Sequence, residues 1–96
     1  MRISVEVLSG PTDGEVYSFK NSFNIGRDTS ANLPLPLDRF VSRHHAQVLI
    51  SDANWVLEDL NSTNGTFIDD KRVQGRIILN NGQIVKIGRT WVQFNW

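Results

Sequence analysis

Leu60-Asn61-Ser62-Thr63-Asn64-Gly65-Thr66-Phe67 sets six small or polar residues between two large apolar ones. Asn-Gly pairs tolerate the positive φ of tight hairpin turns, so Asn64-Gly65 marks a reversal between two strands. Similar punctuation recurs at Gly10-Pro11, Asp13-Gly14, Asn21-Ser22, 51–54, Asp69-Asp70, Asn81-Gly82 and Gly88. Between these turns the segments are short and rich in β-branched and aromatic residues. Ile3, Val5 and Val7 alternate with polar neighbours, Val16/Ser18 alternate with Tyr17/Phe19, and Ile84-Val85-Lys86-Ile87 and Trp91-Val92-Gln93-Phe94 repeat the style. Short alternating segments with frequent turns predict an all-β chain, a β-sandwich or a small barrel.

The chain has 96 residues, 40% hydrophobic and 21% charged, an ordinary globular composition. One domain over residues 1–96 is expected, because two halves would each bury too little core. Ten Lys+Arg balance ten Asp+Glu, which argues against bulk attraction to nucleic acid or to an anionic membrane. There are no cysteines. That excludes thiol catalysis and Cys-based zinc sites and favours a reducing, cytoplasmic setting. The N-terminus, Met1-Arg2-Ile3-Ser4-Val5-Glu6, lacks the apolar run of a signal peptide. No apolar stretch approaches the roughly 18 residues that cross a bilayer, so membrane insertion is not expected. The end at Trp96, directly after the last expected strand, fits either a one-domain adaptor or the N-terminal part of a longer protein.

Residues 38–46 read two ways. Phe40, Val41, His44, His45, Val48 and Leu49 fit a helical stripe with Asp38 as N-cap, whereas Val48-Leu49-Ile50 reads as a buried strand. A loop running into that strand is the reading adopted. The interval Asp28–Val41 contains Pro34 and Pro36 and is expected to be an irregular loop, since Pro removes a backbone donor. Loops of that length are often functional. Ile25-Gly26-Arg27 and Ile87-Gly88-Arg89 rhyme over only three residues, which is too short for a repeat.

Ser42, His44 and His45 suggest a nucleophile and base, but no Gly-x-Ser-x-Gly elbow surrounds Ser42 and enzyme activity is not expected. Adjacent strand residues point to opposite faces, so His44-His45 is a poor metal pair, and no third ligand is evident. No Walker or Rossmann glycine run follows Gly26-Arg27, and nothing asks for a cofactor. Asn61-Ser62-Thr63 and Asn64-Gly65-Thr66 match the N-glycosylation pattern, yet without a signal peptide they read as polar loop chemistry. Trp55, Trp91 and Trp96 are expected to pack in the core or at an edge rather than to stack on a ligand.

What remains is anion-binding capability. Arg27, Arg39 and Arg43 share one seventeen-residue span with only Asp28 and Asp38 as acids, a local surplus of one positive charge. Hydroxyls on Ser42, Ser62 and Thr63 and amides on Asn61 and Asn64 accompany them. Arg offers a planar fork of donors suited to phosphate, and hydroxyls and backbone N–H groups can satisfy its other lone pairs. Taken separately these residues suggest an anion site and no more.

Their order says more. Gly26-Arg27, then Ser42-Arg43-His44-His45-Ala46, then Asn61-Ser62-Thr63-Asn64-Gly65-Thr66 resembles the forkhead-associated (FHA) domain, a phosphothreonine-reading β-sandwich, over roughly residues 3–94. Gly82–Gly88 is similar to that family's closing hairpin. The resemblance implies about eleven mostly antiparallel strands with ligand loops at one end. It implies that Arg27, Ser42 and Arg43 hold phosphate, that Thr63 lines the pocket around the phosphothreonine methyl, and that Asn64 bonds the peptide backbone. Gly26, His45, Asn61 and Gly65 are then scaffold, with Asn61 capping the turn through its side chain, and Arg39 is a candidate for selecting an acidic flanking residue. The implied partners are a threonine-phosphorylated protein or peptide and the Ser/Thr kinase that marks it. The apolar run Leu33-Pro34-Leu35-Pro36-Leu37 departs from the family's usual polar run and leaves open a second reading, a phospho-independent protein–protein assembly module.

Overall fold

Ile3, Val5 and Val7 are fully buried on strand β1 (Ile3–Val7), and Ser4 and Glu6 between them are partly exposed, as period-two alternation requires. The computed structural model describes all residues, Met1–Trp96. Ten further strands follow in chain order: β2 (Val16–Phe19), β3 (Phe23–Gly26), β4 (Leu33–Pro34), β5 (Ala46–Ser51), β6 (Asn54–Asp59), β7 (Thr66–Ile68), β8 (Lys71–Arg72), β9 (Arg76–Ile78), β10 (Ile84–Ile87) and β11 (Thr90–Asn95). They form a six-stranded sheet ordered β2-β1-β11-β10-β7-β8 and a five-stranded sheet ordered β4-β3-β5-β6-β9. This is the all-β sandwich of eleven strands that the turn spacing and the family resemblance imply.

Every pairing is antiparallel except β3 with β4, where Ile25 faces Leu33 and Gly26 faces Pro34. The interval after Arg27 is therefore not wholly irregular. Pro34 sits at the sheet's outer edge, where its missing N–H interrupts no ladder between strands. Leu33 and Leu35 are buried at 0% and 3% exposure, leaving Leu37 as the one exposed leucine of the run at 65%. The apolar departure from the family pattern is thus largely core-forming, which removes most of the surface that the assembly reading would use.

The core joins Ile3, Val5, Val7, Val85, Ile87, Val92 and Phe94 of the first sheet to Phe23, Ile25, Ala46, Val48, Trp55 and Leu57 of the second. Apart from Ala46, each such side chain contributes on the order of 1.5–3 kcal/mol by leaving water. Trp55 is core, while Trp91 and Trp96 stay 39% and 43% exposed. Val48 is buried but Ile50, at 42% exposure, is not; it lies past the core at the start of the β5–β6 turn, which corrects the reading of Val48-Leu49-Ile50 as uniformly buried.

The registers bring several strand ends together. Ile25 pairs with Ala46, Ala46 with Asp59, Thr66 with Ile87, and Ile87 with Thr90. Loops 27–32, 35–45, 60–65 and 88–89 consequently emerge at one end of the sandwich. Residues 38–45 run as turns and bends into β5, with no helix.

Candidate functional site

Gly26 explains why the loops at this end lie so close together. A Cβ there would fall 1.9 Å from the carbonyl oxygen of Arg43. Only hydrogen at that position lets the two chains touch, and they are zipped on both sides. Arg27 N–H donates to the Ser42 carbonyl at 3.0 Å, Asp28 N–H to the Arg43 carbonyl at 3.4 Å, and His45 N–H to the Ile25 carbonyl at 3.0 Å. Arg27 and the Ser42-Arg43 pair, sixteen residues apart at most, are thereby fixed side by side. Gly88 does a similar thing from the other sheet, since a Cβ there would lie 2.7 Å from a Val41 methyl and 2.9 Å from the Phe40 backbone. The short rhyme around Gly26 and Gly88 thus reflects two close approaches to one loop.

His45 ties this pair to the third loop. Its ring is fully buried. Nδ1 accepts from Ser42 N–H at 3.0 Å, so Nε2 carries the proton and donates to the Gly65 carbonyl at 3.0 Å. Burial pushes the imidazole pKa below its ordinary value of 6.5, outweighing the opposing effects of the Gly65 carbonyl, Asp59 and Asp38. A neutral, single-tautomer imidazole suits a bracket between an N–H and a C=O.

The 60–65 turn is shaped from within. Gly65 has φ +90° and no room for a side chain, its would-be Cβ lying 2.8 Å from the Phe67 ring and 3.1 Å from Arg72 Nε. The side-chain cap of this turn is Asp59. It accepts from Ser62 N–H at 3.1 Å, Ser62 Oγ–H at 2.5 Å and Thr66 Oγ1–H at 2.8 Å. Asn61, expected to cap the turn through its amide, instead is exposed and contributes a left-handed backbone with φ +56°. The reason is position: the carboxylate two residues earlier, at the end of β6, already reaches the donors. Arg72 supports the turn from β8, donating to the Ser62 carbonyl at 2.9 Å. Sequence reasoning missed both residues. The Asp59-x-x-Ser62 spacing was a legible signal for the first, because Asp commonly bonds backbone two or three residues on. No local signal marks Arg72, whose place depends on the β7–β8 hairpin.

Two groups then face outward in defined ways. Thr63 N–H donates to Ser42 Oγ at 3.1 Å, which leaves the Ser42 O–H free to donate elsewhere. Asn64 Nδ2 donates to the Phe40 carbonyl at 3.0 Å, which aims Oδ1 away from the loop as an acceptor. Arg27 is half-buried, and Arg43, Thr63 and Asn64 are exposed. The single ion pair of the chain is Arg76–Glu58 at 2.9 Å, so neither Arg27 nor Arg43 is neutralised by a carboxylate. Asp28, the nearest acid in sequence, is turned into its own loop; hydrogen bonds from Ser30 N–H and Oγ hold its pKa below the ordinary value.

Arg39 is not part of this cluster. It lines a separate hollow of about 230 Å³ with Leu37, Phe40, Arg89 and Pro11. Asp38, beside it, latches the loop to the other sheet by accepting from Arg89 N–H at 2.9 Å and Thr90 Oγ1–H at 2.6 Å, and the Arg89 guanidinium stacks over the Phe40 ring at 3.9 Å. Burial raises the Asp38 pKa, but its bonds from Thr90, Phe40 and Arg89 outweigh it and the net shift is downward.

The sequence model of the FHA domain matches residues 23–88, well over half of the chain. The chain belongs to the FHA domain family. Among curated relatives, this FHA domain is 36% identical over 69 residues to the FHA domain-containing protein FhaB of Mycobacterium tuberculosis, covering 72% of this chain and 44% of FhaB. It is also 36% identical over 88 residues to FhaA of the same species, covering 91% of this chain and 16% of FhaA. The chain thus spans less than half the length of these relatives. Among solved structures, one from a study of phosphothreonine-dependent FHA domain interactions superposes with a TM-score of 0.87 at 29% identity, covering 100% of this chain and 97% of the other. EmbR of Mycobacterium tuberculosis, solved with a low-affinity phosphopeptide, gives a TM-score of 0.86 at 26% identity over 98% of this chain and 24% of EmbR. The fold of this FHA domain is therefore the family's sandwich. No helix of this FHA domain is long and apolar enough to cross a membrane.

Proposed function

We propose that this FHA domain is a non-enzymatic reader of phosphothreonine in Ser/Thr kinase signalling. Phosphate is taken by Arg27, the Ser42 hydroxyl and Arg43, Thr63 flanks the threonine methyl, and Asn64 Oδ1 accepts a backbone N–H of an extended peptide. The observation that carries this reading is the bracket made by Gly26, His45 and the Ser42–Thr63 bond, which gathers these residues while leaving both arginines without an acidic partner. Unpaired guanidinium groups on a rigid backbone match a dianionic ligand, and each charge-assisted hydrogen bond contributes about 1.5–3 kcal/mol.

The relatives point the same way. FhaB and FhaA are FHA domain-containing proteins, and EmbR was solved with a phosphopeptide. The partner is a threonine-phosphorylated protein, and a chain without cysteines suits a reducing, cytoplasmic setting. Calorimetric titration with matched phosphothreonine, phosphoserine and unphosphorylated peptides tests the reading. Loss of one arginine contact of about 1.5–3 kcal/mol corresponds to roughly a ten- to hundred-fold weaker Kd for Arg27→Ala. Equal binding of phosphorylated and unphosphorylated peptides, or an unchanged Kd in Arg27→Ala, would sink it.

A further inference from the structure

Lys86 of β10 pairs with Trp91 of β11 on one side and with Phe67 of β7 on the other, and Phe67 pairs with Arg72 of β8. Directly paired residues share a face of the sheet. The row Trp91–Lys86–Phe67–Arg72 therefore crosses four neighbouring strands on the outer face, alternating aromatic and cation. The inward face of the same strands is taken by Val85, Ile87, Val92 and Phe94, all fully buried. Lys86 Nζ lies 5.7 Å from the centre of the Trp91 ring, and Trp91 remains 39% exposed.

The row begins at the ligand end. The Phe67 ring and Arg72 Nε are the groups a side chain on Gly65 would strike, so they stand directly against the turn that carries Asn64. A peptide leaving that turn over the first sheet would meet them next. On this face the strands β7, β8, β10 and β11 carry the cations Arg72 and Lys86 and no Asp or Glu. Lys71, paired with Ile68, faces the other way, and Asp69-Asp70 form the far turn of the β7–β8 hairpin. A chain of zero net charge thus sets two cations between two aromatic rings here.

We propose that this row is a secondary contact strip for an acidic, aromatic-containing segment of the same phosphorylated partner, flanking its phosphothreonine; the proposal rests on the phosphothreonine reading above. Charge and chemistry choose the occupant. Cations with aromatic rings between them complement carboxylates and aromatic side chains. Exposed pairs of this kind are individually weak, and a neutral chain supplies no bulk attraction to gather a free anionic ligand. Tethering through the phosphothreonine raises the local concentration of the flank, and a weak strip then adds usefully to affinity. An untethered polyanion such as single-stranded nucleic acid lacks that advantage.

Calorimetry compares a short alanine-flanked phosphothreonine peptide with the same peptide extended on its N-terminal or its C-terminal side by an Asp/Glu/Tyr-rich segment, at low and high salt. One of the two extensions should tighten binding about three- to thirty-fold at low salt. The gain should shrink at high salt and vanish in Lys86→Glu, with Trp91→Ala removing part of it and thermal melts confirming that both variants fold. The short peptide should bind Lys86→Glu as it binds wild type. No gain from either extension, or a gain untouched by Lys86→Glu, overturns the strip while leaving the phosphothreonine reading intact. Equally strong binding of the unphosphorylated extended peptide, or of a single-stranded oligonucleotide, overturns it as well. Failure of the short peptide to bind at all removes the reading and the strip together.

Discussion

Replacing His45 by Ala separates holding the loops from touching the ligand. The imidazole is fully buried and satisfies two backbone groups, Ser42 N–H and the Gly65 carbonyl. Ala strands both, at about 1–3 kcal/mol each, so the loss is roughly 2–6 kcal/mol before any cavity is counted. In a domain of this size 1 kcal/mol moves the melting temperature by about 4–8 °C. Even the lower bound of about 2 kcal/mol lowers Tm by about 8–16 °C, against a total stability of about 5–15 kcal/mol for a small domain. Thermal melts followed by circular dichroism measure that loss. Calorimetric titration with a phosphothreonine peptide, run well below both midpoints, should show weaker binding too, because Ser42 and the 60–65 turn lose their common brace. Arg27→Ala should instead lose affinity alone, with a melt near wild type. The reasoning fails if His45→Ala melts like wild type. It fails equally if affinity falls with no loss of stability, which would put the imidazole on the ligand.

Two other outcomes follow from the same geometry. Because the folded pKa of His45 lies below its ordinary 6.5, the unfolded chain takes up a proton that the native state resists. Stability contributed by His45 is full above about pH 6.5 and declines as pH falls from there toward the folded value, so melts across pH 5–7.5 should show a slope that His45→Asn removes. Gly26→Ala puts a methyl group 1.9 Å from the Arg43 carbonyl oxygen. It should part the Arg27–Ser42 contact, lower Tm by at least about 10 °C and abolish phosphopeptide binding, checked by the same melts and titrations.

Where pattern is local, the sequence was sufficient. Ile3, Val5 and Val7, and the paired runs that became β10 and β11, announce strands because their alternation is a property of neighbours along the chain. Pro34 in a strand was not legible, because whether a strand lies at an edge is settled by the partners it lacks. Leu33 and Leu35 look like an exposed apolar loop until the parallel pairing with Ile25 and Gly26 turns them inward. At the loop end, motif order singled out Arg27, Ser42, His45 and Asn64, which the backbone contacts of Gly26 and the His45 bracket bring together. Asn61 was assigned a cap that Asp59 provides, since which of two nearby polar side chains reaches a donor depends on backbone direction. Arg72 carried no motif, and the closing-hairpin likeness of Gly82–Gly88 assigned Lys86 no role; the neighbours of both depend on cross-strand register.

The loop from Leu37 to His45 interleaves fixed and free positions. Asp38, Val41, Ser42 and His45 are bonded or buried, whereas Leu37, Arg39, Arg43 and His44 are exposed. Substitutions at Leu37, Arg39 or His44 should therefore leave the fold in place, whereas Arg43 is held to its identity by the proposed phosphate contact. Room to vary and inheritance of fold sit side by side in one short segment.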